Sequence, residues 1–169
     1  GKYLDYFIDA FMLYKAKRYD VKGRKQIGSP LKYYYSDVGL RNARLNFRQQ
    51  EENHIMENII YNELRVREFD IDVGIVGVIT RLEEGKSKRE QYEVDFVANR
   101  GSRRYYIQSA FAIPDEAKRE QETRSLIKIQ DSFKKIVVLR EDIEPWHDDN
   151  GILYIGIEQF LLDEAAMDL

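Results

Sequence analysis

Cysteine is absent from the 169 residues, and proline, histidine and tryptophan are scarce, with three, two and one copies. Without cysteine the chain has no disulfide, no thiolate metal ligand and no thiol nucleophile, which fits a reducing, cytoplasmic setting. The two histidines, His54 and His147, lack the spacing of a metal-ligand pair. The sequence therefore excludes a secreted disulfide scaffold and a zinc-finger-type site.

Long hydrophobic runs are missing as well. Apolar stretches such as residues 75–79 fall far short of the ~20 residues that a bilayer span needs, so we expect no membrane partner. The first 20 residues carry scattered charges and do not resemble a signal peptide. They begin inside an amphipathic helix that has no capping residue before it, which leads us to expect a fragment of a longer protein.

The residues that are present are typical of a globular protein. Hydrophobic residues make up 43% and charged residues 34% of the chain, with a net charge of -3. Near the start, apolar side chains recur at helical spacing and predict a core helix with one buried stripe, formed by Leu4, Phe7, Ile8, Phe11 and Met12.

The next segment is strongly basic. YKAKRYDVKGRK and PLKYYYSD predict two strands of a hairpin, whose connection carries Gly23, Gly28 and Pro30. Residues 15–32 hold seven basic residues and one acid, a net charge of +6. Such a hairpin after a helix is typical of a winged-helix module whose wing lies beside a phosphate backbone. The candidate nucleic-acid-binding residues are Lys17, Arg18, Lys22, Arg24 and Lys25, although lysines also keep ordinary sheet edges soluble.

One motif in this segment does not point to a nucleotide site. GRKQIGS has the glycine spacing of a P-loop, but no lysine follows its second glycine to reach the outer phosphates of a nucleotide. The chain itself should therefore not hydrolyse ATP.

From His54 onward the pattern predicts an α/β fold. A helix runs to about Glu68, and three strands follow in DVGIVGVIT, QYEVDFVAN and RRYYIQSAF. A charged helix opens at Pro114 and Asp115, and KKIVVLRE, NGILYIGI and IEQFLLDEA add two strands and a helix. This order predicts a mixed sheet flanked by helices.

Polar residues on two of these strands form a candidate site. Strand alternation places Glu93, Asp95 and Val97 on one side of their strand, and Asp95 and Gln108 can then point into a common space beneath the helix of Glu57. Convergent carboxylates of this kind can bind Mg²⁺. A strand acid that is satisfied by internal partners is the structural alternative.

The order of these elements, with Glu57 in HIMENIIYNEL, Asp95 in EVDFVA and the third strand in YIQ, resembles the PD-(D/E)XK nuclease fold. YLDYFIDAFMLYKAKRYDVKGRK, YYYSDVGLRNA and RSLIKIQDSFKKIVV are in addition similar to the C-terminal region of a bacterial and archaeal family of AAA+ ATPases. The resemblance implies a winged-helix remnant in residues 1–47, a nuclease-like domain in residues 54–169 and an ATPase domain upstream, which would be a partner within the same protein.

The resemblance also implies a set of site residues. The catalytic candidates are Glu57, Asp95 and Gln108, and Glu57, Asp95 and Glu93 would hold Mg²⁺ or Mn²⁺. In active members of the superfamily the third strand carries a carboxylate and a lysine, but this chain has Tyr106 and Gln108 at those positions. We therefore expect a degenerate, non-catalytic accessory domain that binds nucleic acid or regulates the ATPase. A metal-dependent nuclease and a protein-docking or oligomerisation domain are the alternatives.

Overall fold

The structure, a computed structural model, describes residues 2–44, 51–81 and 87–169. Its helices are α1 Lys2–Asp9, α2 Val38–Arg44, α3 Glu52–Val66, α4 Glu116–Ile127 and α5 Ile157–Leu162, and a short 3₁₀ helix spans Ala166–Asp168. Its strands are β1 Leu13–Asp20, β2 Lys25–Tyr35, β3 Asp70–Arg81, β4 Ser87–Arg100, β5 Arg103–Ala110, β6 Lys134–Leu139, β7 Trp146–His147 and β8 Ile152–Gly156. The predicted order of elements is confirmed, and β7 and the 3₁₀ helix are additions to it.

The eight strands form one sheet in the order β2-β1-β3-β4-β5-β6-β8-β7. The pairs β1 with β3, β5 with β6, and β6 with β8 run parallel, and the other pairs are antiparallel. Helices α3 and α5 pack on one face, where Leu64 and Phe160 are buried, and α4 packs on the other face through Leu126. The chain is thus an α/β protein with a mixed sheet flanked by helices.

Helix α1 differs from its prediction. It contains no buried residue, so the expected core helix with a buried stripe is wrong. Tyr3 is 82% exposed and Tyr6 66% exposed, and Leu4 and Phe7 are also on the surface. Helical spacing identified the helix correctly, but spacing alone does not say what packs against an apolar stripe. No helix of the described residues is long and apolar enough to cross a membrane.

The hairpin of β1 and β2 is confirmed, with a shorter connection than predicted. β2 already begins at Lys25, so Gly28 and Pro30 lie within the strand and not in the turn. Proline is tolerated there because β2 is the outermost strand of the sheet and one of its edges has no neighbour. The carbonyl of Pro30 accepts a hydrogen bond of 3.0 Å from Nε of Arg18.

The two predicted domains share this sheet, because residues 17–20 of β1 pair in parallel with residues 72–75 of β3. The predicted boundary between residues 47 and 54 falls largely on residues 45–50, which lie outside the described ranges. The division into residues 1–47 and 54–169 therefore stays a prediction. The direct strand pairing nevertheless means that side chains from the first segment can reach a site in the second.

Candidate functional site

Glu57 lies on α3 and faces the sheet, where its side chain is almost completely buried. Its Oε1 atom accepts a hydrogen bond of 2.7 Å from the hydroxyl group of Tyr34. The same oxygen lies 2.7 Å from Nζ of Lys32. Tyr34 and Lys32 both belong to β2 and share a face of it, because they are two residues apart. The edge strand thus satisfies the charge of a buried helix carboxylate.

Lys32 also contacts a second carboxylate. Its Nζ atom lies 3.1 Å from Oε1 of Glu93 on β4, although β1 and β3 separate the two strands. Oε2 of Glu93 lies 3.0 Å from Nη2 of Arg18 on β1. Glu57, Glu93 and their two basic partners therefore form a continuous network, which joins β1, β2, β4 and α3 on one face of the sheet.

β4 is irregular at Asp95, the third carboxylate near this network. Asp72 of β3 pairs with Val97 and Gly74 pairs with Val94, so one residue of β3 opposes both Asp95 and Phe96. This extra residue is a β-bulge, which turns two successive side chains to the same face. Val97 consequently packs with Val94 in the layer beneath α4, and the prediction that Val97 shares a face with Asp95 is wrong.

The bulge lies where β4 and β5 separate. The pairing of these strands begins at Phe96 and Ile107, and Ser109 lies beyond the paired residues. Oδ2 of Asp95 accepts a hydrogen bond of 2.8 Å from this N–H. The carboxylate thereby replaces a strand-pairing hydrogen bond, which gives Asp95 a structural role at the start of the gap between the strands.

The electrostatics of Asp95 reflect its neighbours. Burial raises its pKa from 3.8 to about 7, and the negative charges of Glu57 and Glu93 act in the same direction. The charge of Lys32 and the Ser109 N–H oppose this rise. The protonation of Asp95 therefore changes near neutral pH.

Lys32 remains the cation of the group. Burial lowers its pKa, but the charges of Glu57, Asp95 and Glu93 outweigh burial and leave the pKa above 10.5. Lys32 was not among the predicted site residues, because it occurs in a basic segment and its partners come from elements far away in sequence. Its alternation with Tyr34 on β2 was the available signal that its side chain turns towards the core.

Gln108 is not brought to this network. Its neighbours Tyr105 and Ile107 belong to the layer beneath α3, whereas Tyr106 and Ala110 belong to the layer beneath α4. Alternation places Gln108 with the second set, on the opposite face of the sheet from Glu57. Its Oε1 atom is buried there without a hydrogen-bond partner among the residues that the structure describes. Of the residues predicted for the site, Glu57, Glu93 and Asp95 converge and Gln108 does not.

The predicted nucleic-acid-binding residues fall into two groups. Arg18 belongs to the carboxylate network, and Lys17 donates a hydrogen bond of 3.2 Å to the side chain of Gln26. The other three are exposed in the turn of the hairpin and at the start of β2, and no ion pair within the described ranges involves them: Lys22, Arg24 and Lys25. This second group is placed to contact a large partner directly.

An open groove of about 610 Å³ adjoins Asp95 at the end of β5. Ser109 and Phe111 line it from the strand side, and Asn53 of α3 and Lys118 of α4 line it from the helices. Asp115 caps α4 at this groove by accepting the Lys118 N–H at 2.8 Å. Ligands of α/β proteins commonly bind outside the carboxyl ends of strands, as this groove is placed.

The resemblance implies a divalent metal, and the network can be tested for one. Mg²⁺ needs oxygen ligands at about 2.0–2.1 Å with no competing positive charge between them. Here the ammonium group of Lys32 lies between Glu57 and Glu93. Within residues 2–44, 51–81 and 87–169, no three histidine, aspartate or glutamate side chains are arranged to hold a metal ion. The residues do not fit Mg²⁺ or Mn²⁺.

Comparisons with known proteins identify two relatives. An uncharacterized protein of Haemophilus influenzae is 34% identical over 162 residues, which are 96% of this chain and 36% of the relative. The uncharacterized protein MJ1544 of Methanocaldococcus jannaschii is 30% identical over 126 residues, which are 75% of this chain and 25% of the relative. The chain thus spans about a third or less of these relatives. No family model and no solved structure matches the chain.

Proposed function

We propose that this chain is a non-catalytic, nucleic-acid-binding accessory region of an AAA+ ATPase, built from a PD-(D/E)XK nuclease-like core and a winged-helix remnant. The observation that carries the proposal is an exposed basic turn combined with carboxylates that already pair with basic side chains of the same chain. The much greater length of the two relatives agrees with a larger protein around this region.

The basic turn supports nucleic-acid binding. Lys22, Arg24 and Lys25 are exposed in the turn and at the start of β2, where phosphate groups can reach them. Lysine and arginine contacts to phosphates release bound counterions, so such binding weakens steeply as salt rises. These contacts position a protein on DNA and carry no base specificity. The proposed activity is therefore sequence-independent attachment.

The carboxylate network supports the absence of catalysis. A metal-dependent nuclease needs acidic oxygens that are free to bind cations and a positive group that can contact the phosphate. In this chain Oε1 of Glu57 and both oxygens of Glu93 contact internal donors, and Oδ2 of Asp95 holds a backbone N–H. The side chains that would do chemistry instead connect the hairpin to the sheet.

Neutralising the basic turn should weaken DNA binding. We expect the triple variant Lys22→Gln, Arg24→Gln, Lys25→Gln to reduce the slope of log affinity against log salt by about one for every phosphate that the protein no longer neutralises. Fluorescence anisotropy of a labelled duplex at several salt concentrations measures this slope, and the duplex should remain uncut in Mg²⁺ or Mn²⁺.

A matched control removes the same charge at the far end of α4 from the turn, by Lys118→Gln and Arg119→Gln at the start of α4 and Arg140→Gln directly after β6, and should keep the wild-type slope. An equal decrease of the slope in both triple variants, or no binding at low salt, would contradict the proposal. Metal-dependent cleavage would favour the nuclease alternative.

A second candidate function, self-association, is favoured by α1. Phe11 follows this helix with φ of 55° and is 75% exposed. A bulky residue in the left-handed region costs about 1–2 kcal/mol, and glycine would adopt that conformation without strain. Together with Tyr3, Tyr6 and Phe7, Phe11 presents an aromatic surface of the kind that marks protein contacts.

The variant Phe11→Gly distinguishes an effect on self-association from an effect on folding stability. We expect the variant to unfold at an equal or higher denaturant concentration, because the backbone strain is gone, yet to dissociate at higher protein concentration than the wild type. Sedimentation velocity over a concentration series measures association. A wild-type chain that stays monomeric throughout would refute self-association.

A further inference from the structure

The ammonium group of Lys32 lies between two carboxylates, where a bound metal cation could otherwise lie. This group contacts Glu57 at 2.7 Å and Glu93 at 3.1 Å, and its charge also acts on Asp95. We propose that Lys32 is the permanent cation of this carboxylate group and that it keeps divalent metal ions out. This inference rests on the proposed function and supplies the physical reason for the missing catalysis.

The charges of the network explain how the ammonium group of Lys32 can exclude a divalent ion. Glu57, Glu93 and Asp95 carry up to three negative charges, and Lys32 and Arg18 return two positive charges. An added divalent ion would have to displace the ammonium group or lie beside it, and like charges in a partly buried position repel strongly. Removing Lys32 would leave the oxygens of Glu57 and Glu93 facing each other without a positive charge between them.

The position of Lys32 is set by the fold. β2 places Lys32 directly opposite Ala16 of β1, whose methyl group is fully buried on the α3 face. The small side chain of Ala16 leaves the lysine stem a path across β1 towards α3. Tyr34, two residues further on, donates to the same oxygen of Glu57 and fixes the carboxylate in reach of the ammonium group.

The test is a calorimetric titration of Mn²⁺ into the whole chain and three variants. Lys32→Met removes the charge and keeps the length of the side chain, Lys32→Arg keeps the charge, and the double variant Lys32→Met, Asp95→Asn also removes a carboxylate. We expect no Mn²⁺ binding at millimolar concentration by the wild type or by Lys32→Arg. Lys32→Met should bind Mn²⁺ at least tenfold more tightly, and the double variant should lose this gain.

Each outcome decides the inference. Mn²⁺ binding by the wild type as tight as that of Lys32→Met would overturn it, and this comparison needs no catalytic activity. Failure of a folded Lys32→Met variant to bind would also overturn it. If circular dichroism shows this variant unfolded, Mn²⁺ should restore its helix signal, and Lys32→Gln, which retains a polar group, repeats the titration. A failure of DNA binding would leave these results unchanged, so the proposed function and this inference fail separately.

Discussion

We expect the Asp95→Asn variant to gain stability relative to the wild type as the pH rises from 4 to 8. The folded-state pKa of Asp95 is raised from 3.8 to about 7. Between these values the folded state holds a proton that the unfolded state has released, so wild-type stability falls as pH rises through this window. The loss amounts to about 4 kcal/mol above pH 7.

The asparagine variant isolates this effect. Its side-chain oxygen can still accept the Ser109 N–H, and it carries no charge at any pH. Titrating groups that do not interact with Asp95 remain in both chains and cancel in the comparison. Urea unfolding of the two chains between pH 4 and pH 8 measures the difference, and NMR titration of the carboxyl carbon measures the pKa directly. A stability difference that does not change with pH would contradict the raised pKa.

Replacing Leu64 by alanine should also have a large effect, a loss of about 2–5 kcal/mol in the free energy of unfolding. Leu64 belongs to α3 and is fully buried in the same core cluster as Ile60, Phe96 and Phe160, and truncation leaves a cavity that a packed core cannot close. Because α3 also carries Glu57, the loss should lower the stability of the carboxylate network together with the fold. Denaturant unfolding, monitored by circular dichroism, measures the change.

Val66 provides the control, because it lies on the same helix and is 77% exposed. Val66→Ala removes methyl groups from the surface and increases helix propensity, so its stability should remain within about 0.5 kcal/mol of the wild type. Comparable destabilisation of both variants would show that helix propensity, and not burial, governs α3.

Much of the fold could be predicted from sequence because local patterns determine it. Apolar spacing located α3, and Asp115 marked the start of α4, where the structure shows it accepting a capping hydrogen bond. The convergence of Glu57 and Asp95 was predicted from their elements and is present. Burial of α1 was wrong because burial depends on a packing partner, and the pattern of a helix does not specify one.

The remainder of the site depends on features that local pattern does not encode. The bulge opposite Val73 shifts alternation by one residue, so Asp95 and Phe96 share a face. Lys32 and Arg18 join the network only because β1 pairs in parallel with β3, a contact between segments some fifty residues apart. Neither a one-residue irregularity nor a long-range parallel pairing leaves a composition or spacing signal.

The two edges of the sheet have a consequence for behaviour at high concentration. At one edge Pro30 interrupts the row of N–H donors along β2, and at the other edge β7 is only two residues long. Amyloid-like growth requires a long, regular strand edge on which further strands can add. Neither of these two outer edges offers such a template, so the backbone itself, in addition to surface charge, hinders further strands from adding there.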